Sequence, residues 1–255
     1  MAKASFLGMA VHQGLSFFPM LMKIPETEAV FWPGCALLNL EGDILEKTLT
    51  VLRRAEPEIR LACGCCGQPT VYLFPEKAEK RRKKLVSALK KQGVRRIYTA
   101  CPNCTLQLKE LEGFEILPIW PVLAEYIRRE DMTESAGSFI WHDPCPTRKD
   151  PAQQEAARKL LALSGCDCCQ PEHTGCHTRC CGNFHMMAAT DPEKSQKMRL
   201  SRLSEFPEEK IIASSCEGCL GAFRGEGRET RHLLELLFGK SNTRGWTNRI
   251  KTTRK

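Results

Sequence analysis

Fifteen cysteines stand in this 255-residue chain, and ten of them keep a period. Cys66, in Cys65-Cys66-Gly67, is followed after 34 intervening residues by Cys101-Pro102-Asn103-Cys104. Cys181, in Cys180-Cys181-Gly182, is followed, again after 34, by Cys216-Glu217-Gly218-Cys219. Each of these four positions recurs 115 residues later, and a lone cysteine leads each set, Cys35 and Cys145, offset by 110. Four matching spacings are very improbable by chance, so the chain reads as a tandem repeat with a five-residue insertion ahead of the second pair.

Thiolates in this pattern bind metal. A CxxC puts two sulfurs within reach of one centre, and a distant CC pair and an upstream cysteine add three ligands from other loops. Adjacent cysteines rarely bond to each other, because a vicinal disulfide strains the peptide between them. Five thiolates exceed the four of a structural zinc site and the four of an ordinary cubane, which points to a larger or unusual iron–sulfur centre. Zinc in one or both halves, and disulfides or free thiols, are the competing readings. His142 and His185 flank motif cysteines, in His142-Asp143-Pro144-Cys145 and just after the second CCG, and are expected to hydrogen-bond to thiolates or substrate rather than ligate. Cys63, Cys166, Cys168, Cys169 and Cys176 fall outside the period, as substitute thiolates or small buried hydrophobes. In Cys168-Cys169, Gln170 stands where the glycine should be and the 34-residue spacing fails. Cys176, between His173 and His177, reads as a solvated loop.

Short apolar runs must carry these loops. Ala29–Trp32, Ile97–Thr99, Phe139–Trp141 and Ile211–Ala213 each end just before a motif cysteine, as buried parallel strands would. Between them lie helical patterns. Asp43 and Glu46 form a capping-box pattern before Ile44, Leu45, Leu49 and Leu52. Pro75 opens a stripe of Ala78, Leu85, Val86 and Leu89 that Gly93 can end. Asp150-Pro151 begins another helix and Gly165 closes it. The fold class is therefore α/β, two tandem homologous domains, each a small parallel sheet flanked by helices. In such sheets sites form beyond the C-terminal strand ends, where the cysteines fall.

Composition narrows the rest. Charged residues are 27% and hydrophobic ones 42%, a globular profile. A 28.8 kDa chain can bury an ordinary core, so no disulfide staples are needed. The charge balance, 38 basic against 30 acidic residues, is +8. Its densest basic runs lie between Lys77 and Arg96, without aromatics, and between Lys240 and Lys255, with Trp246 alone, so nucleic acid is not expected as a partner. The first of these runs reads as a solvated helix face, or a dock for an acidic electron donor. Ala4–Met22 carries no charge but is broken by His12, Gln13, Ser16 and Pro19 and lacks a small-residue cleavage site, so it reads as a buried or docking arm. An odd cysteine count with adjacent pairs argues against a secreted disulfide framework. The expected location is cytoplasmic, with membrane contact only through a partner. No G-x-G-x-x-G opens a helix after a strand, and no C-x-x-C-x-x-C-x-x-x-C run is present, so electrons must come or go through partner subunits.

At these residues the chain resembles the cysteine-rich CCG-domain family, typified by the B subunit of heterodisulfide reductase. That family includes the catalytic chain of membrane-bound heterodisulfide reductases and subunits of lactate, glycolate and glycerol-3-phosphate oxidation complexes. The resemblance covers about residues 28–240. It implies a non-cubane [4Fe-4S] cluster in each repeat, held by Cys35, Cys65, Cys66, Cys101 and Cys104 in one and by Cys145, Cys180, Cys181, Cys216 and Cys219 in the other. It implies two pseudo-twofold related domains, 28–134 and 135–240, after an N-terminal arm, 1–27, and before a basic tail, 241–255, expected to be disordered. The implied activity is reduction or formation of a small-molecule disulfide between two clusters, with flavoprotein or ferredoxin-like electron-transfer subunits as partners. A non-catalytic electron-transfer subunit of a dehydrogenase complex and a zinc-stabilised scaffold are the alternatives. Two departures leave the substrate open. Asn183-Phe184-His185 follows the second CCG where further glycines are usual, and the second CxxC lacks the Cys-Pro start.

Overall fold

The computed structural model describes residues 6–18 and 21–254; the ends of the expected arm and tail, and residues 19–20, lie outside it. The first half runs α1 (Phe6–Ser16), β1 (Ala29–Trp32), α2 (Gly42–Leu52), β2 (Arg60–Leu61), α3 (Gln68–Leu73), α4 (Pro75–Lys91), β3 (Arg96–Thr99), α5 (Pro102–Lys109), β4 (Glu115–Pro118) and α6 (Ile119–Tyr126). The second runs β5 (Ser138–His142), α7 (Pro151–Ser164), β6 (Asp167–Cys169), α8 (Met187–Thr190), α9 (Pro192–Leu203), β7 (Ile211–Ser214), α10 (Glu217–Arg224), β8 (Thr230–His232), α11 (Leu233–Phe238) and α12 (Trp246–Arg254). Each half forms a four-stranded parallel sheet, ordered β2-β1-β3-β4 and β6-β5-β7-β8, so the second repeats the topology of the first.

The strands read as continuous apolar runs because both faces of each sheet are covered. Alternation sends Ala29 and Phe31 to one side of β1 and Val30 and Trp32 to the other. Phe31, Phe139 and Trp141 join a central core with α2 and α6 of the first half and α7 and α11 of the second. Val30, Trp32 and Ile97 pack outward under α4 and α5, and Ile140 and Ile212 under α10. The two sheets thus sandwich a shared layer of four helices.

Local signals hold unevenly. The Asp150 side chain accepts from the Gln153 amide, and Gly165 ends α7 at φ 69°. The capping box expected at Asp43 does not form: α2 starts two residues earlier than that cap implies, with Glu41 at the cap and no side-chain cap bond. Residues 246–254, expected as part of a disordered tail, form α12, anchored where Gly245 N and Asn248 Nδ2 donate to Asn39 O at 2.9 and 3.2 Å.

Past the end of α2, Arg54 grips Asp131 with both terminal nitrogens, at 2.5 and 2.7 Å. That hydrogen bond, above all, holds the Asp131 carboxyl below its ordinary range. A depressed carboxylate stabilises the fold fully above the unfolded pKa of about 4, and the contribution vanishes as pH falls through the lower folded value. Asp131→Asn is expected to cost about 1 kcal/mol at pH 7. Thermal melts should show the gap closing below about pH 3; a gap unchanged with pH would contradict the assignment.

Candidate functional site

Every motif cysteine lies on a loop beyond a C-terminal strand end or on the first turn of the following helix. Cys35 follows β1 through Pro33-Gly34, Cys65 and Cys66 follow β2, and Cys101 follows β3. Gly34 is required by contact as well as conformation: at φ +89° a Cβ there would sit 2.9 Å from Cys101 Cβ and 3.1 Å from Cys104 Sγ. Cys101 and Cys216 are the N-caps of α5 and α10, so each CxxC wraps a helix N-terminus. Amides there favour a thiolate; the Cys101 thiol is held low first by Cys104 and then, against burial, by the amides of Cys104 and Asn103.

The structure gathers the ten cysteines into two groups of five. Sulfur contacts run Cys35–Cys65–Cys66–Cys104–Cys101 in the first. They run Cys145–Cys180–Cys181–Cys219–Cys216 in the second, with Cys145 and Cys180 Sγ 3.6 Å apart. The order is the same in both halves, and all fifteen cysteines are free thiols. Protons are shared in the same sense as well. Cys65 and Cys180, the first of each CC pair, are held low by donation from the lone cysteine and then from the neighbouring cysteine of the pair. Cys35 and Cys145 are correspondingly pushed up. Each accepting sulfur also takes the amide of the CCG glycine, Gly67 N at 3.5 Å and Gly182 N at 3.3 Å. Five crowded sulfurs, unlinked by disulfides and with Cys65 and Cys101 in the first group and Cys180 in the second held toward thiolate, are a donor set suited to a metal.

The halves meet at these loops. Asn103, inside the first CxxC, donates to Cys216 Sγ of the second at 3.7 Å, and its own oxygen accepts from Gln68 Nε2 at 3.3 Å. The Tyr72 ring stacks on His185, centroids 4.4 Å apart. His185 and Met186 take left-handed conformations, at φ 56° and 59°, unusual for non-glycine residues and concentrated at functional contacts.

His142 is fully buried, with one ring nitrogen within 4.8 Å of the sulfurs of Cys181 and Cys219. Burial pushes it down to about 3, then the Arg202 charge adds to that, so the ring is neutral. Arg202 Nε donates to Nδ1 at 3.2 Å. An arginine only donates, so the ring proton must reside on Nε2, which has no hydrogen-bond partner among the described residues. A protonated Nε2 can donate to sulfur and cannot ligate. His185 instead lines a cavity of about 340 Å³ beside Cys145 and Cys180, with Arg148, Arg179 and Phe184 among its other walls. A separate hollow in the first half, by Cys66 and Gly67, is about 80 Å³.

The five unperiodic cysteines stand apart from both groups. Cys63 is buried in the central core, its thiol raised to about 11 mainly by desolvation. Cys168 and Cys169 lie in β6, paired with Phe139 and Ile140. Cys166 contacts Cys168, which, ahead of opposing burial, lowers its thiol to about 6. Cys176 is exposed.

Several site residues carried no sequence signal. Gln13, on α1, is fully buried and donates to Cys65 Sγ at 3.6 Å, while Thr70 Oγ1 donates to its oxygen at 2.6 Å. Arg202 and Arg249, both fully buried, fall among many exposed basic residues. Only their position along amphipathic helices could have hinted at burial.

The cysteine-rich domain, CCG, matches residues 29–109 and 139–224, one match in each half. Among curated proteins, the D subunit of the dihydromethanophenazine:CoB–CoM heterodisulfide reductase of Methanosarcina barkeri is 25% identical over 228 residues, 80% of this chain and 56% of that protein. Its counterpart in Methanosarcina mazei is 22% identical over 227 residues, with the same coverage. The chain thus spans about half the length of the curated relatives it matches, and these are D subunits, not the B subunit. Among solved structures, Picrophilus torridus aspartate racemase aligns over 88% of this chain and 98% of its own at 11% identity, TM-score 0.37. An aspartate racemase homologue from Pyrococcus horikoshii aligns over 90% of this chain and 100% of its own at 14% identity, TM-score 0.29. No helix among the described residues is long and apolar enough to cross a membrane.

Proposed function

The chain belongs to the cysteine-rich CCG-domain family, and from that premise we propose that it is an iron–sulfur oxidoreductase subunit acting on a disulfide or thiol. The observation that carries the reading is the pair of five-sulfur groups, ordered alike, facing each other through Asn103 and Cys216. In this reading residues 28–134 and 135–240 are two pseudo-twofold related domains. Cys35, Cys65, Cys66, Cys101 and Cys104 hold one [4Fe-4S] cluster, non-cubane by resemblance, and Cys145, Cys180, Cys181, Cys216 and Cys219 hold the other. Five donors per site favour this over four-coordinate zinc.

When bound, such centres supply electrons singly, and two of them suit a two-electron cleavage in which one disulfide, two electrons and two protons give two thiols. The chain's own residues shape where this happens. The cavity beside Cys145 and Cys180 is the roomier of the two, which favours substrate at the second site over a closed electron-transfer module. Arg148 is held on its wall by donating to Thr178 O at 2.6 and 2.9 Å, placing positive charge beside the opening. A ring nitrogen of His142 lies within 4.8 Å of the Cys181 and Cys219 sulfurs, and Asn103 donates its amide to Cys216, lowering the electron density on that ligand. Partner subunits, flavoprotein or ferredoxin-like, exchange the electrons; the basic face of α4 is a surface suited to an acidic donor.

Anaerobic purification followed by iron, sulfide and zinc analysis tests the reading, with EPR before and after adding thiol. About eight irons and eight sulfides per chain are expected, with a thiol-dependent signal. Zinc without sulfide would replace the proposal with a metal-stabilised scaffold.

A further inference from the structure

Arg249, on α12, is fully buried, and none of its three guanidinium nitrogens has a hydrogen-bond partner among the described residues. Its guanidinium lies over the Trp246 ring at 4.6 Å, and Trp246 meets the edge of the His12 ring at 5.6 Å. His12 Nδ1 is 3.1 Å from Gln13 Nε2, the group that reaches Cys65 Sγ. From the other side, α12 is tied to the turn Leu37–Asn39, immediately after Cys35. The arginine's charge is felt at the thiols of Cys35 and Cys63. A buried cation without a counter-charge is among the costliest features a fold can hold.

The second half has an equally buried arginine, but a balanced one. Arg202 pairs with Glu205 at 2.7 Å and donates to His142. Among the described residues the first half supplies no carboxylate in that role; of the five sulfurs, the one whose thiol the Arg249 charge is recorded to reach is Cys35.

We propose that Arg249 is the fixed counter-charge of an anionic metal–thiolate centre held by Cys35, Cys65, Cys66, Cys101 and Cys104, so that the C-terminal helix completes the first site. The inference rests on the reading of those cysteines as metal ligands, but not on the metal, because iron–sulfur and zinc thiolates are both anionic. It also makes the two centres unequal: a positive charge beside one raises its reduction potential relative to the other. Arg249 is a positioning residue, acting through charge and not by ligation.

The test compares anaerobically purified full-length protein with Arg249→Met and Arg249→Lys. Metal release to excess EDTA, followed by absorbance, is expected to speed about tenfold at one of the two centres in Arg249→Met and stay near wild type in Arg249→Lys. In an EPR redox titration, one midpoint potential should fall in Arg249→Met while the other holds. Stripped of metal, Arg249→Met should melt higher than stripped wild type, because the unpaired charge is gone, whereas a packing role would lower both forms. Metal-loaded wild type with an Arg249→Met variant alike in release and potential overturns this proposal alone. Wild type that binds no metal overturns the reading of the cysteines, and the proposal with it.

Discussion

Serine in place of Cys65 is expected to remove one metal centre and spare the other, and Cys180→Ser to do the reverse. Each sulfur occupies the same place in its group, accepting from the lone cysteine, from its neighbour and from the CCG glycine amide. It is the sulfur most strongly preset as thiolate, and a hydroxyl there neither ionises near neutral pH nor matches a soft metal. Iron and sulfide per chain should fall to about half in either single variant and to near zero in the double. Cys168→Ser is the control: it removes a thiol of another adjacent pair, but one lying in β6, and the full complement should persist. Two intact centres in both single variants would refute the assignment of five ligands to each site.

That control shows where the sequence was legible and where it was not. Period separated Cys180-Cys181 from Cys168-Cys169, because ligand spacing is a property of the whole repeat and survives local variation. The four central strands were visible because both faces are buried and the residues run apolar. The edges were not. β2 is only Arg60–Leu61, β4 runs into Pro118, and β6 is Asp167–Cys169, too short or too polar to show alternation. Asp43 matched a capping pattern, yet two residues of register decided the cap, and Glu41 took it. The residues around the sulfurs were the least legible. Gln13, Arg202 and Arg249 are ordinary surface types, and only tertiary packing turns them inward. Asn103 is read easily as part of CxxC, but its bond to Cys216 spans 113 positions.

The two CCG glycines look interchangeable in sequence, and alanine should separate them. Both take positive φ, +88° at Gly67 and +82° at Gly182, so each loses about 1 kcal/mol to conformation alone on replacement. At Gly67 the added methyl meets nothing among the described residues closer than the Phe17 ring edge at 3.8 Å. At Gly182 it would lie 2.2 Å from the carbonyl oxygen of Ser195, a backbone atom of α9 that cannot rotate away. Relief requires moving α9, and α9 carries Arg202, whose Nε fixes the tautomer of His142. Gly182→Ala is therefore expected to cost about 4 kcal/mol, conformational strain and overpacking together. That corresponds to a fall in Tm of about 10 °C for a domain pair of this size, with loss of the centre held by Cys145 and its group. Gly67→Ala should keep both centres and most of the stability. Equal losses in the two variants would mean that backbone conformation, and not the approach of α9, sets the demand for glycine in the second CCG.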